Sequence, residues 1–127
     1  SFPVDRFNHW LSVDPTSGEL TLSFYDTRND TTGSRYMTDT YLARSVDGGA
    51  NFSNTRVSTE SSNEHDCDGV FPCIGINYGN QQGDYEGLVT YGGIAHPIWT
   101  DSRRQLESSP GCPRNLKMEE VFTAAVK

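Results

Sequence analysis

Basic residues, long apolar runs and helix-forming stretches are all scarce in this chain of 127 residues. Ten Lys and Arg stand against 17 Asp and Glu, so the formal net charge is -7 at pH 7. Because phosphate groups repel a surface of this sign, nucleic acids and anionic membranes are poor candidate partners. No stretch approaches the roughly 20 apolar residues of a membrane span. The composition favours a secreted or extracellular protein without membrane insertion.

Uninterrupted Leu, Ala, Glu and Lys stretches, which long helices need, are almost absent. Short runs rich in Tyr, Phe, Val and Thr occur instead, and clusters of Gly, Asn, Asp, Pro and Ser separate them. Strands and tight turns have this composition. The sequence therefore predicts an all-β protein.

Cysteine is also scarce, with only three in the chain. Cys67 and Cys73 lie close enough in a polar loop to form a small disulfide, and Cys112 is then left over. Free thiols are the alternative, and the lack of a C-x-x-C pair argues against zinc. A disulfide favours an oxidising compartment. The N-terminal SFPVDRF has no charged leader and no apolar core, so we expect that a leader has been removed or that this is an internal piece of a longer chain.

An internal repeat predicts the architecture. GELTLSFYDTR, from Gly18, and GIAHPIWTDSR, from Gly93, share their first Gly, an aromatic residue six positions later, and a final Asp-Thr/Ser-Arg. The offset between them is constant at 75 residues, from Gly18 to Gly93. In each unit a strand and a tight turn precede this segment, and a loop and a further strand follow it. Such a repeated antiparallel meander is typical of β-propeller blades.

We therefore predict two antiparallel blades of the four-stranded type. The first covers residues 1–59, a long inter-blade loop covers 60–83, and the second blade covers 84–127. The first blade has a fourth strand around Asn54 to Ser58, whereas the outer strand of the second is missing or is supplied by the N-terminal Ser1 to Asp5. Two blades bury one mutual interface and leave the outer apolar face of each blade exposed to water. The fold is therefore incomplete alone and requires other blades, from the same or a different chain.

One segment carries a resemblance to a known family. SVDGGANF, residues 45–52, resembles the Asp-box of the sialidase superfamily, also called the BNR repeat: Ser45, Asp47 and Gly49 match its pattern, and Phe52 stands at the position of the usual Trp. The motif is a structural turn, in which Ser and Asp side chains bind backbone amides and Gly takes an unusual backbone conformation. The layout of the whole chain is similar to the C-terminal two blades of bacterial secreted sialidase-like propellers.

The resemblance implies a secreted propeller segment or subunit that binds an extracellular carbohydrate or protein and is non-catalytic by itself. Two alternatives stay open: a piece of a sialidase-like glycoside hydrolase whose catalytic residues lie in absent blades, or a structural component of an extracellular assembly. Enzymatic activity of this chain alone is not expected. A sialidase pairs a tyrosine with a glutamate, but Tyr85 and Glu86 are adjacent and would point to opposite faces of a strand.

The repeated Asp-x-Arg pairs, Asp26 with Arg28 and Asp101 with Arg103, are candidate functional groups. With i, i+2 spacing on a strand, both side chains project from one face. The arginines either clamp a ligand carboxylate or form structural ion pairs that stitch adjacent blades, and repetition in both units favours the ion pairs. Aromatic residues offer sugar-stacking surfaces. The ligand-binding candidates are Arg28, Arg103, Tyr85 and Trp99.

Acidic residues of the long loop are candidate calcium ligands, since calcium prefers carboxylate and carbonyl oxygens. The residues concerned are Asp66, Asp68 and Asp84. Asn29 and Asp30 with Asp39 form a second candidate group. Solvated acidic loops are the alternative interpretation, and calcium is the only cofactor that the sequence suggests.

Overall fold

The structure is a computed structural model that describes residues 3–63, 86–103, 105–106, 116–117 and 120–127. Every regular element within these ranges is a β-strand, and all the strand pairs are antiparallel. No helix in the described ranges is long and apolar enough to cross a membrane. The predicted all-β class is confirmed for this part of the chain.

The first sheet is a meander of four consecutive strands with a short fifth strand at its side. Its strands are β1 Arg6–Val13, β2 Leu20–Asp26, β3 Met37–Ser45 and β4 Ser53–Arg56, in that order, and β5 Ser62–Asn63 pairs with the beginning of β3. A bulge between Phe7 and Trp10 shifts the register of β1 against β2. The predicted fourth strand therefore exists but is displaced by one or two residues, and the predicted loop 60–83 begins with a short strand.

The second sheet is a meander of three strands in the order β10-β7-β6. These strands are β6 Gly87–Tyr91, β7 Ile94–Asp101 and β10 Glu120–Thr123. Two short strands, β8 Gln105–Leu106 and β9 Leu116–Lys117, pair with each other between β7 and β10. An isolated bridge between Ala95 and Val126 extends the contact of β7 with the C-terminal segment.

Residues 3–5 lie beside the first sheet. The Asp5 carbonyl accepts a hydrogen bond from the Thr27 amide (3.2 Å), and the Asp5 amide donates to Thr27 Oγ1 (3.0 Å). Residues 3–5 thus prolong β1 along the segment that follows β2. The described part of the N-terminus makes no strand pairing with the second sheet.

Each sheet has two faces, which we name by one residue each. In the first sheet, Leu22, Phe24, Tyr41 and Ala43 form the Phe24 face, whereas Thr21, Ser23 and Tyr25 belong to the opposite Tyr25 face. In the second sheet, the buried Ala95, Pro97 and Trp99 form the Trp99 face. The opposite Ile98 face carries Val89, Tyr91, Ile94, His96, Ile98, Val121 and Thr123. The 75-residue shift maps Phe24 onto Trp99, so the Phe24 and Trp99 faces are equivalent sides of the repeat.

The Tyr25 face of the first sheet packs against the second sheet. The Tyr25 hydroxyl donates to the Thr100 carbonyl (2.7 Å) and accepts from the Thr100 amide (3.0 Å), so one side chain satisfies both backbone groups of a strand residue. Ser12 Oγ accepts from the Thr90 amide (3.0 Å). Because Ala95, Pro97 and Trp99 alternate with exposed neighbours along β7, we infer that the Trp99 face is the side turned to the first sheet.

Two charged side chains add cross-links between the sheets at the turn of the second meander. Asp14 Oδ2 accepts from the Gly93 amide (2.6 Å), and Arg44 donates to the Gly93 carbonyl (3.3 Å) and to the Val126 carbonyl (2.6 Å). Hydrogen bonds from Gly93 and from Thr16 lower the pKa of Asp14 to about 2. The carboxylate therefore stays charged at neutral pH and keeps the two sheets connected.

Candidate functional site

The end of β2 and the end of β7 carry the repeated Asp-x-Arg pairs, and we call this region the Asp–Arg edge. Asp26 and Asp101 are the last residues of their strands. Their carboxylates accept hydrogen bonds from the backbone amides two residues further on, Arg28 (2.7 Å) and Arg103 (2.8 Å). This local bond turns the chain, as Asp side chains commonly do. Each arginine thus lies just beyond its strand, and the i, i+2 strand geometry predicted for the pair does not extend to it.

Both arginines form an ion pair with the aspartate of their own unit. Arg28 Nη2 lies 2.6 Å from Asp26 Oδ2, which also accepts from Arg6 Nε at 3.0 Å. Arg103 donates to Asp101 through Nε (2.8 Å) and Nη2. The two pairs form within the first and the second unit respectively, so neither of these contacts joins one sheet to the other.

The charge environment of Asp26 follows from these contacts. Burial by itself raises the pKa of the Asp26 carboxyl, but the hydrogen bonds and positive charge of Arg28 and the bond from Arg6 outweigh burial and lower it. The same pairing raises the pKa of Arg28. Both groups are therefore ionised across the physiological pH range.

Each arginine also lies over an aromatic ring, and the two units repeat this arrangement. The Arg28 guanidinium is 4.1 Å from the centroid of Tyr41, and the Arg103 guanidinium is 4.5 Å from that of Phe122. Tyr41 in turn stacks on Phe24 (6.2 Å), and Phe122 stacks on Trp99 (6.1 Å). An aspartate, an arginine and two aromatic rings thus form one repeated module that ends the central strand of each sheet.

The two modules differ in how open they are. The Arg28 side chain is 30% exposed, and no described residue accepts a hydrogen bond from its Nε or Nη1. The Arg103 side chain is 12% exposed, and its Nη1 donates to Thr59 Oγ1 (2.8 Å). Arg28 is therefore the member of the pair with donors left for a ligand, whereas Arg103 is engaged by protein groups.

The aromatic ligand candidates are placed differently. Trp99 is 4% exposed, and its Nε1 donates to Asp101 Oδ2 (3.2 Å). A sugar ring has no access to this indole because the side chain is buried. Tyr85 lies outside the described residues.

A second polar group at the same edge centres on Asp39, which β3 places opposite Asp26. Its carboxylate accepts from Arg56 Nη2 (2.6 Å), Ser58 Oγ (2.9 Å) and Asn29 Nδ2 (2.6 Å). Asp39 thus has a positively charged protein partner in Arg56. The sequence contained a usable signal, because a strand after the 45–52 turn brings Arg56 next to Tyr41 and hence close to Asp39.

The turn at residues 45–52 is held by hydrogen bonds from its own side chains. Ser45 Oγ donates to Asp47 Oδ1 (2.8 Å) and accepts from the Gly49 amide (2.9 Å), and the Asn51 amide donates to Asp47 Oδ1 (2.9 Å). Bonds from Asn51 and Ser45 lower the pKa of Asp47 to about 2. Phe52 is 42% exposed, so the aromatic residue of the motif covers the turn only in part.

Glu86 is a buried acidic residue that the sequence suggested only as a partner of Tyr85, in a catalytic pair that was not expected. It is 6% exposed and precedes β6, on the side that meets the Tyr25 face. Neither of its carboxylate oxygens has a hydrogen bond of good geometry with a described residue. Burial raises the pKa of Glu86 to about 8, and the neighbouring Ser23 hydroxyl opposes this shift only partly.

Two of the predicted sites fall where the structure is not described. The candidate disulfide Cys67–Cys73, the remaining Cys112 and the candidate calcium ligands Asp66, Asp68 and Asp84 all lie outside the described residues. Within the described ranges, no group of three or more His, Cys, Asp or Glu side chains is arranged to hold a metal ion. Calcium binding thus stays a prediction from the sequence.

The Asp–Arg edge is therefore a polar, arginine-rich surface of an acidic chain, at which the side chains of Arg6, Arg56 and Arg28 are 59%, 36% and 30% exposed. Comparison of the chain with protein-family models, with curated proteins and with solved structures finds no match in any of the three.

Proposed function

We propose that this chain is a two-blade segment or subunit of a secreted β-propeller of the sialidase-superfamily type, and that it binds an extracellular carbohydrate or protein without cleaving it. The observation that carries the proposal is the repeat of the Asp–Arg–aromatic module in two meanders that pack face to face. Consecutive blades of a propeller stand in such a relation, with the same side of every blade turned toward the next. The Asp-box hydrogen bonds at residues 45–52 support the same assignment.

Arg28 is the residue we assign to ligand binding. Its guanidinium lies over the Tyr41 ring and is oriented by Asp26, while Nε and Nη1 point to no described protein acceptor. A preoriented guanidinium with two free donors suits a carboxylate or a pair of sugar hydroxyls. The surrounding negative charge of the chain disfavours a polyanionic ligand, so a glycan with a single carboxylate is the carbohydrate that fits best.

The absence of cleavage is part of the proposal and rests on how the polar groups are used. Asp26, Asp39 and Asp101 are all committed to arginines. A glycosidase needs a carboxyl group that is free to donate or accept a proton next to the scissile bond. The paired aspartates of this edge do not offer one.

The test is binding of the purified chain to an array of sialylated and neutral glycans. We expect binding to glycans with a terminal carboxylated sugar, and a loss of at least tenfold in affinity for Arg28→Ala, which is about 1.4 kcal/mol. Arg35→Ala is the matched control, since Arg35 is an exposed arginine paired with Asp5 on a loop, and it should leave the affinity unchanged. Absence of glycan binding would reject the carbohydrate part of the proposal. Hydrolysis of a fluorogenic sialoside by the chain would reject the non-catalytic part.

A further inference from the structure

Five buried side-chain oxygen atoms have no hydrogen-bond partner among the described residues. They belong to four residues, each of which is 6% exposed or less: Thr21, Ser23, Glu86 and Thr90. Native proteins leave few buried polar atoms unpaired, because the hydrogen bonds that such atoms made to water in the unfolded chain are otherwise lost. A group of unpaired oxygens therefore indicates that a further molecule binds to them.

The four residues lie on the facing sides of the two sheets. Thr21 and Ser23 are on the Tyr25 face of β2, which packs against the second sheet. Thr90 is opposite the buried Ala95, on the Trp99 face of the second sheet. Glu86 precedes Thr90 by four residues in an extended chain, so its side chain turns to the same side. The unpaired oxygens are thus gathered in one interface and are not scattered through the fold.

The contacts divide the four residues into two positions along this interface. At the first position, the Ser23 hydroxyl lies next to the Glu86 carboxyl. At the second, the Thr90 amide donates to Ser12 Oγ (3.0 Å), and Thr21 is the strand partner of Ser12. Each position therefore has one unpaired residue from the first sheet and one from the second.

Water is the molecule that suits both positions. It donates and accepts hydrogen bonds, so a single molecule joins oxygens of the two sheets. A buried water typically makes about three hydrogen bonds to polar groups that have no other partner. The burial of the two positions admits a molecule of this size and excludes a sugar ring, for the same reason that a sugar cannot reach Trp99.

A metal ion suits these oxygens less well than water does. Calcium takes about six to eight oxygen ligands, including carboxylates, whereas Glu86 is the one carboxyl group among the four residues. Glu86 and Thr90 are also roughly 13 Å apart along the strand, which is too far for one ion to bind both. No ion pair between described residues includes Glu86, so a protein cation does not neutralise it there.

We infer that the interface between the two sheets binds ordered water molecules at two positions, one held by Glu86 and Ser23 and the other by Thr21 and Thr90. These waters complete the hydrogen bonding of the five oxygens and join the sheets through bridges that the side chains do not make directly. The inference concerns the packing of the sheets and is independent of the proposed ligand site at Arg28.

The first experiment is a high-resolution crystal structure of the wild-type chain. We expect a water at each position, about 2.6–3.2 Å from oxygen atoms of both sheets. Direct hydrogen bonds from Ser23 to Glu86 and from Thr21 to Thr90, with no water between them, would overturn the inference. A peak with about six oxygen ligands at about 2.4 Å would be a cation and would overturn it too.

The second experiment counts long-lived internal waters in solution by magnetic relaxation dispersion of the water signal. Thr90→Val replaces the hydroxyl with a methyl group of similar size, and the variant should lose about one long-lived water relative to wild type. Thr55→Val is the matched control, because Thr55 is exposed on β4, and it should keep the wild-type number. A Thr90→Val variant that folds, as judged by circular dichroism, and keeps every long-lived water would contradict the second position.

A salt series separates water from a bound ion without any substitution. The melting temperature of the wild-type chain should be the same in sodium, potassium and calcium chloride at equal ionic strength. If Glu86→Gln shows no cation effect but wild type is stabilised by one of these cations, the position at Glu86 binds that cation and the inference is wrong. Glycan binding through Arg28 is measured separately, so its presence or absence does not bear on this result.

Discussion

The two sheets share their strand order and the module at the end of the central strand, but they differ in what surrounds it. In the first sheet Asp26 has two arginine partners, Arg28 and Arg6, and Arg28 remains partly open. In the second, Arg103 is the one arginine partner of Asp101 among the described residues, and it is nearly buried and also bonded to Thr59. The residues that repeat in both sheets thus determine how the central strand of each sheet ends. The residues that differ between the sheets determine how the sheets pack on each other. The following predictions test this difference.

The largest expected effect comes from removing the arginine of the second module. Arg103→Ala leaves the buried Asp101 without its ion-pair partner, and we expect a loss of about 3 kcal/mol in the free energy of unfolding. Arg28→Ala should cost only about 1 kcal/mol, because Arg6 still pairs with Asp26. Urea denaturation of both variants checks this. Equal losses would mean that the modules are equally supported and that the contrast between the sheets is wrong.

The hydroxyl of Tyr25 provides the second test, because it joins the first sheet to the second. Tyr25→Phe removes the group that satisfies both the amide and the carbonyl of Thr100, and we expect a loss of about 2 kcal/mol. Tyr41→Phe is the matched control, since among the described residues its hydroxyl bonds only to Asn29 (3.0 Å), and it should cost less than about 1 kcal/mol. If the two substitutions cost the same in urea denaturation, the sheets are not joined through this hydroxyl.

Glu86 allows the interface between the sheets to be probed by pH. Because its pKa is raised to about 8 when folded, the native chain holds a proton that the unfolded chain releases near pH 4.5. Stability should therefore fall as the pH rises from about 4.5 to about 8, and level off above that. Glu86→Gln cannot ionise, so it should abolish this slope and be more stable than wild type at pH 9 by up to about 5 kcal/mol.

The control for this prediction is an acidic residue at the surface. Glu60→Gln changes an exposed side chain, so thermal denaturation should show the same dependence on pH as wild type. The pH of the buffers must stay well above 2, because Asp14 and Asp47 titrate there and protonation of Asp14 would itself break the bond to Gly93. A Glu86→Gln variant that keeps the wild-type slope would show that another group titrates at the interface.

How much of this could be predicted from the sequence depends on whether the signal is local. The all-β class and the central strands follow from turn residues and from the repeat of Gly18 and Gly93, so β2 and β7 lie where they were expected. The 45–52 turn was equally accessible, because its Ser and Asp bond within four residues. Local hydrogen bonds leave a pattern that a single sequence displays.

Contacts between distant segments were not accessible in the same way. Tyr25 of the first sheet reaches Thr100 of the second, but nothing in the sequence around either residue selects that contact. The packing of the two sheets decides it. The placement of Trp99 shows the same limit, since its aromatic character suited a sugar platform equally well until its burial was known. The sequence thus predicted which types of residue form the site. The contacts between these residues could be found only from the fold.

The smallest expected effect concerns the turns, where the two halves of the first sheet can be compared directly. Gly49 has a φ of +92°, and a Cβ added there would meet Leu20 Cδ1 at 3.4 Å. Gly18 has a φ of +77°, but a Cβ there would meet nothing within 4 Å. We expect Gly18→Ala to cost about 1 kcal/mol through backbone strain alone, and Gly49→Ala to cost a few tenths more because Leu20 must move. Thermal denaturation at neutral pH measures both. If Gly18→Ala is the more destabilising substitution, the turn at 45–52 is held by its Ser45 and Asp47 hydrogen bonds and not by its packing on β2.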